Sequence, residues 1–411
     1  MDALSQDTRQ ARGLALVQGK AKAFRHVAGD VFFVPSQTGN SAGQGYVVNV
    51  TLGQCSCPDF EERGGVCKHQ WAVRYFRHEL TMPDGNTVIT EAVRISYPQN
   101  WAAYNAAQVS EKETFQILSS TLCDGIVQPA QKMGRPRFLL RDVVYGAMSK
   151  VYGTMSGRRS MSDLRACESK GFIGRVPAYN TIFKYMENPE LLPILKTLID
   201  ESAKPLTAVE RYFAIDATGF AGPSFVRWFD HKHGEDRRVQ RWVKLHAMVG
   251  VKTGIITAAE ITEGNVSDYK KFAPLMNRTV ANGFQTKEVS ADKAYLSHAH
   301  LALVESLGGY AFIPFKSNSV PTGSPAWERL YHLYSLNREV FDKHYHPRSN
   351  VESEFSSIKR KFGANVRSKL PAAQFNEVAL KCLVANVTTL VHSIHELGVE
   401  PKFWLPKGET T

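Results

Sequence analysis

The sequence predicts a mixed α/β fold preceded by a small metal-stapled module. Three observations carry this. Between residues 208 and 395, short apolar runs alternate with segments of helical periodicity. Between 101 and 200 the pattern is helical throughout. Before residue 90, three cysteines and a histidine fall within the stretch from Cys55 to His69. Apolar positions that repeat every two residues line one face of a strand, and those that repeat every 3.6 line one face of a helix.

The later runs at 212–215, 243–251, 255–261, 288–291 and 310–315 read as strands. Gly219 is expected to cut off the first, and Thr253-Gly254 forms the hairpin turn between the second and third. Helices are expected at 268–276 and 298–307, and from about 349 and 372 onward. This order of strands and helices is that of a ribonuclease-H-like sheet. Upstream, helices are expected at 101–120, 139–151, 160–169 and 178–186, with 128–136 as a linker and Asn188-Pro189 as a stop. The first module has a strand at 46–51, a turn at Gly53 and a helix from Lys68, and Pro83-Asp84-Gly85 breaks the chain. The expected domains are therefore 1–90, 101–205 and 208–395.

Composition narrows the function classes. With 43% apolar residues the chain can build a core and is not of a disordered type. Its 50 Lys and Arg against 39 Asp and Glu give a net charge of +11, which favours polyanionic partners such as nucleic acid. No stretch reads as the 18 or so apolar residues of a membrane span, so no membrane partner is expected. The first residues carry mixed charges without an apolar run, unlike a signal peptide. Clustered cysteines fit a metal site in a reducing compartment, and a cytoplasmic, nucleoid-associated location is expected if the source is bacterial.

Cys55-Ser56-Cys57 and Cys67-Lys68-His69 spell C-x-C-x9-C-x-H. Three thiolates and one imidazole complete a closed tetrahedral zinc site. Alternation along a strand puts Cys55 and Cys57 on one face, the loop returns Cys67, and His69 opens a helix. One structural Zn²⁺ would then supply folding energy to a module too small to hold itself together. The stretch 46–80 resembles the SWIM zinc finger. Cys123, Cys167 and Cys382 are isolated and read as small core residues.

Three acids form the second constellation. Asp216 ends the run Tyr212–Ile215, Asp292 ends Glu288–Ala291, and Glu352 lies near the start of a late helix. In a ribonuclease-H-like sheet the two strands are neighbours and the helix packs beside them, so the three carboxylates converge. Carboxylates suit two Mg²⁺ or Mn²⁺ ions, which promote phosphodiester hydrolysis and transesterification. Around Glu352 the spacing Tyr345-x2-Arg348-x3-Glu352-x6-Lys359 is Y-x2-R-x3-E-x6-K. Glu352 and Lys359 are two helical turns apart and share a face, and Arg348 sits one turn before. One acid between two cations suits a metal beside phosphates.

That spacing resembles the Y-R-E-K signature of a large group of insertion-sequence DDE transposases. FAIDATGFAG, ITEGNVSDYKKF, SADKAYLS and AFIPFKSN resemble further segments of the group, and the likeness runs over 134–386. It implies Asp216, Asp292 and Glu352 as metal ligands, with Tyr345, Arg348 and Lys359 as DNA contacts. It implies cleavage of double-stranded DNA at terminal inverted repeats, strand transfer into target DNA, and a homodimer holding two ends. The zinc finger is not a usual part of that group. Two other readings use the same residues: a nuclease that cuts without joining, and a catalytically silent DNA-binding protein.

Further residues bear on DNA. The helix pair at 160–186 has helix-turn-helix proportions, with Asn180 placed to read adenine and Lys184 to meet phosphate. Arg158-Arg159 precede it. Gly134-Arg135-Pro136-Arg137 is similar to an AT-hook core, whose Arg135 and Arg137 would enter a narrow minor groove, but four residues match and a basic interdomain linker is the preferred reading. Arg227, Lys232, Arg237, Arg238 and Arg241 form a basic run. Trp327 is a platform for a flipped base or a packing residue. Asp268 reads as a helix cap.

Overall fold

A computed structural model describes two compact units, residues 1–99 and 100–411. It describes residues 9, 11–13, 15–17, 20, 23–28, 30–36, 45–76, 79–81 and 87–89 of the first, and 100–131, 133–134, 136–222 and 242–405 of the second. Arg135 and the basic run at 227–241 lie outside the described residues.

In the first unit, β1 (Arg25–Ala28), β2 (Val31–Pro35), β3 (Gly45–Asn49) and β4 (Gln54–Cys55) form an antiparallel sheet in that order. Two short helices follow, α1 (Pro58–Arg63) and α2 (Lys68–Phe76), then a strand pair, β5 (Glu79–Thr81) and β6 (Thr87–Ile89). Only the third strand and the second helix were legible in the sequence. The core is small: Leu16, Phe24, Phe32, Val34, Val48, Ala72 and Val73 pack with the three cysteines.

The second unit opens with helices α3 (Trp101–Asp124), α4 (Leu140–Tyr152), α5 (Ser160–Ser169), α6 (Tyr179–Met186) and α7 (Leu191–Ala203). Five strands form one sheet: β7 (Tyr212–Ala221), β8 (Trp242–Gly250), β9 (Ile256–Glu263), β10 (Glu288–Ala291) and β11 (Tyr310–Phe312). Their order is β11-β10-β7-β8-β9, antiparallel from β7 to β9 and parallel from β7 to β11. Between them lie α8 (Phe272–Ala281) and α9 (His298–Ser306), and after them α10 (Pro325–Leu336), α11 (Arg338–Tyr345), α12 (Ser349–Phe362) and α13 (Pro371–Leu397). The helices before residue 205 and the sheet after 208 contribute to one continuous core, in which Leu122, Met148 and Leu198 pack together with Ile215, Met248 and Leu383.

Three expectations change. The strand through Asp216 does not stop before Gly219; β7 runs to Ala221 because it pairs with β8 over its whole outer half. Gly219 leaves room there for the Trp242 ring, which a Cβ would meet at 3.0 Å. Between β11 and Glu352, where no element was expected, lie α10 and α11. And α13, expected from about 372, is by length and composition long and apolar enough to cross a membrane, although no such stretch was read in the sequence. Its most apolar window is 78% buried inside the fold, where it serves as the central helix. Buried Asn386 on α13 makes that position specific: it accepts from Ile256 N (2.8 Å) and donates to Ile256 O, Ile199 O and Ser202 Oγ, joining β9 and α7 to the helix.

Candidate functional site

The sheet itself aligns two of the acids. β7 and β10 pair in parallel up to Ile215 opposite Ala291, and the next residues on the two strands are Asp216 and Asp292. Parallel pairing ends at that point while β7 continues against β8, so both carboxylates stand where two strands part. Each is oriented by the following backbone amide: Ala217 N donates to Asp216 Oδ1 (2.9 Å) and Lys293 N donates to Asp292 Oδ1 (2.6 Å). Asp292 also opens the short 3-10 turn Lys293–Tyr295. Burial pushes the Asp216 carboxyl above its ordinary range, against the Ala217 amide and Arg348, which hold it down.

The third acid arrives on α12. Glu352 is exposed and accepts from Arg348 Nη2 at 2.5 Å, while Arg348 Nη1 donates to Asp216 Oδ2 at 2.8 Å. One guanidinium therefore joins the acid of the strand to the acid of the helix. Arg348 is itself 18% exposed and lies 5.9 Å over the Tyr345 ring, which stacks on Phe341. Burial works against its charge, but Tyr345, Asp216, Glu352 and Asp292 outweigh it and push its pKa up. Two turns along α12, Lys359 Nζ donates to Thr218 Oγ1 at 2.7 Å and rests over Phe220. Arg348 and Lys359 thus tie the start and the last turn of α12 to the stretch Asp216–Phe220 of β7.

Both ends of α12 are pinned. At its start, besides Arg348, Asn350 Nδ2 donates to Val251 O at 2.9 Å. At its end, Gly363 turns the chain with φ +90°, a conformation that suits glycine. The buried Lys381 donates to Gly363 O (2.7 Å) and Asn365 O (2.9 Å), and Val366 N continues β7 by donating to Ala221 O. Glu377 accepts from the backbone of Arg367 and Ser368.

The first unit offers a second ligand set. Cys55, Cys57, Cys67 and His69 are all buried, and their ligand atoms lie within 4.8 Å of one another. Metal–sulfur bonds of roughly 2.3 Å put sulfurs under 4 Å apart, so this set needs little adjustment to close on zinc. Contact with Cys55 holds the Cys67 thiol down to about 4, and the same contact with burial pushes Cys55 up. Thiols crowded in this way can all ionise only around a cation. β4 carries Cys55 and the start of α2 carries His69, while Cys57 stands at the N-cap of α1 and Cys67 directly precedes α2, so the strand expected to hold both Cys55 and Cys57 ends at Cys55.

Residues 46–75 match the SWIM zinc finger family, and residues 207–387 match the family described as the transposase DDE domain. The chain carries a transposase DDE domain behind a SWIM zinc finger. The Cys/His cluster lies inside the SWIM match and fits a zinc site. Asp216, Asp292, Tyr345, Arg348, Glu352 and Lys359 all fall inside the DDE domain match. The resemblance drawn from sequence began at 134, whereas the family match begins at 207 and leaves out α3 to α7.

Outside the DDE domain match, the helix pair α5 and α6 forms as expected. Asn180 and Lys184 on α6 and Arg137 before α4 are exposed. Arg137 N donates to Gln131 Oε1. Beside the pair lies an open groove of about 490 Å³ lined by Met155, Arg158, Arg159, Met161, Ser162, Arg165 and Tyr179. Its loop is fixed: Thr154 adopts φ +52°, its carbonyl accepts from Arg367 Nη1, and Gly157 lies against Phe183.

Of the two readings of Trp327 the packing one holds, and the cap at Asp268 is corrected. Trp327 is buried, stacks on His298 at 3.9 Å and donates to Val320 O, so it packs the core and presents no free platform. Asp268 starts a 3-10 turn without capping it; it pairs instead with Lys244 (2.5 Å) on β8 and lies 3.2 Å from the ring of His246. Sequence reading missed Thr218 and Tyr295. The first is two residues beyond Asp216 and so on the same face of β7. The second is three residues after Asp292, is buried, and has its phenol pushed up by burial, then by the charges of Asp268, Asp216 and Asp292.

Proposed function

We propose that this chain is a DDE transposase that cleaves transposon-end DNA and joins the freed 3′ hydroxyl to target DNA. Asp216, Asp292 and Glu352 would hold two Mg²⁺ or Mn²⁺ ions, since carboxylate oxygens are the donors such ions prefer. Bound there, the pair of ions would activate the attacking oxygen and stabilise the leaving one. The observation that carries the reading is the meeting of distant acids: Asp216 and Asp292 follow the last paired residues of two parallel strands, and Arg348 links Asp216 to Glu352.

The strand order with α12 beside it supports a ribonuclease-H-like domain over 208–395. In this reading 101–205 is a helical DNA-binding region and 1–90 the zinc module. Lys359 and Tyr345 flank the acids and meet backbone phosphates, and Arg348 does so when DNA is bound. Lys359 is half-buried and burial lowers its pKa, so a phosphate beside it regains the charged form. Asn180, Lys184, Arg135 and Arg137 contact the terminal repeat. Two ends are held by a homodimer.

The test is metal-dependent cleavage and strand transfer on element-end DNA by the full chain and by Asp216→Ala, Asp292→Ala and Glu352→Ala. Loss of both reactions with DNA binding kept supports the enzyme. Cleavage without joining would identify a nuclease, and DNA binding without cleavage in the unaltered chain a silent binder. Cleavage that survives in all three variants ends the assignment.

A further inference from the structure

We propose that Arg348 is the resident counter-ion of the acidic site, that it and divalent cations are alternative partners of Asp216 and Glu352, and that DNA backbone phosphate draws it away. This rests on the reading of those acids as metal ligands. Arg348 is not merely a helix-surface partner. Its pairing with Glu352 is an ordinary i,i+4 contact, but the other arm reaches Asp216, 132 positions away on the central strand. A side chain 18% exposed with both arms on the proposed ligands occupies the coordination space of those acids.

Charge decides the consequence. Three carboxylates with one guanidinium leave the site modestly negative. Two divalent ions added to the same set would leave it positive, with Arg348 facing ions that compete for the same oxygens. Each DNA phosphodiester brings one negative charge and oxygens that a guanidinium binds through two parallel hydrogen bonds. Arg348 can therefore trade two carboxylates for a phosphate without losing hydrogen bonds, and the carboxylates it leaves are free to coordinate. The Tyr345 ring, 5.9 Å from the guanidinium, gives it an apolar face to pivot against. Lys359 is held apart by Thr218 and does not take part in the exchange. Cation and DNA binding then become coupled, and the coupling is reciprocal: each raises the affinity for the other by the same factor.

The test measures Mn²⁺ affinity by the loss of free-ion resonance, with the full zinc-loaded chain. It compares unaltered protein, Arg348→Gln, Arg348→Lys and Asp216→Ala, each with and without a short DNA duplex, after thermal melts confirm folding. Without DNA, Arg348→Gln should bind Mn²⁺ about tenfold more tightly than the unaltered chain, within the usual span of such couplings. Duplex should tighten Mn²⁺ binding about tenfold in the unaltered chain and little in Arg348→Gln. Arg348→Lys, a cation without the two-armed fork, should fall between. Equal Mn²⁺ affinity in the unaltered chain and Arg348→Gln, with or without duplex, overturns the exchange. If Asp216→Ala leaves Mn²⁺ binding intact, the ligand assignment itself fails; if it abolishes binding while Arg348→Gln changes nothing, only the exchange fails.

Discussion

Lys359 donates a 2.7 Å hydrogen bond to Thr218, two residues beyond Asp216 on the same face of β7. The bond ties the last turn of α12 to the central strand, and it raises the question of whether the lysine holds the helix or meets DNA. The two roles separate by substitution. Thr218→Val removes the acceptor and keeps the shape, so it should cost about 1 kcal/mol in unfolding experiments and change cleavage only a few-fold. Lys359→Met removes the charge as well and should lower the cleavage rate about a hundredfold, the scale for losing a donor aimed at developing charge. Equal losses of cleavage in the two variants would mean that the lysine only positions the helix.

The zinc finger has little core of its own, so its folding should follow the metal. The chain should contain one zinc by elemental analysis. Cys67→Ser, or removal of zinc by a strong chelator, should unfold the first unit while the helical signal of residues 100–411 persists. Full protection of amides near Cys55 and His69 after zinc removal would contradict this.

The arginine groove predicts a salt effect. Arg158, Arg159 and Arg165 line it, and no acid does. Arg159→Ala and Arg165→Ala should weaken DNA binding alike for all sequences and make the dependence on salt shallower by about 1 each in logarithmic slope. Asn180→Ala should change the preference among sequences and leave the slope alone. An unchanged slope in the double variant would place the DNA elsewhere.

His246 makes stability depend on pH. Its ring is fully buried, bonded to Thr262 Oγ1, and burial lowers its pKa from 6.5 to about 4. Between those values the unfolded chain binds the proton and the folded chain does not. The contribution is therefore complete above pH 6.5 and is lost as pH falls toward 4, by about 3 kcal/mol in total. Urea unfolding from pH 7 to 4 should show this loss, and His246→Gln should flatten that part of the profile. An identical profile in the variant would assign the acid sensitivity to other groups.

The corrections share one origin. Strand ends were read from glycine, and Gly219 looked like a stop, but pairing with β8 carried β7 past it. The run from 325 to 345 does place Trp327, Tyr331 and Tyr334, and then Phe341 and Tyr345, at helical spacing, a signal that was overlooked. Its rings meet several neighbours, Trp327 meeting Phe315 and His298, and Phe341 meeting Phe312, Tyr334 and Tyr345. The polar group around Asp268 was invisible, since Lys244 and His246 come from another strand.

What the sequence determined by itself was local: a ligand set spaced for zinc, carboxylates placed at strand ends, and an acid and a lysine two turns apart on one helix. Those follow from backbone periodicity, which is fixed within a few residues. What only the tertiary structure decided was the company each group keeps: that Arg348 spans from Glu352 to Asp216, that Lys359 finds Thr218, and that Lys381 holds the end of α12. Such pairings join residues far apart in the chain, and they depend on strand order and helix packing, which are set by burial of the whole core rather than by any local pattern.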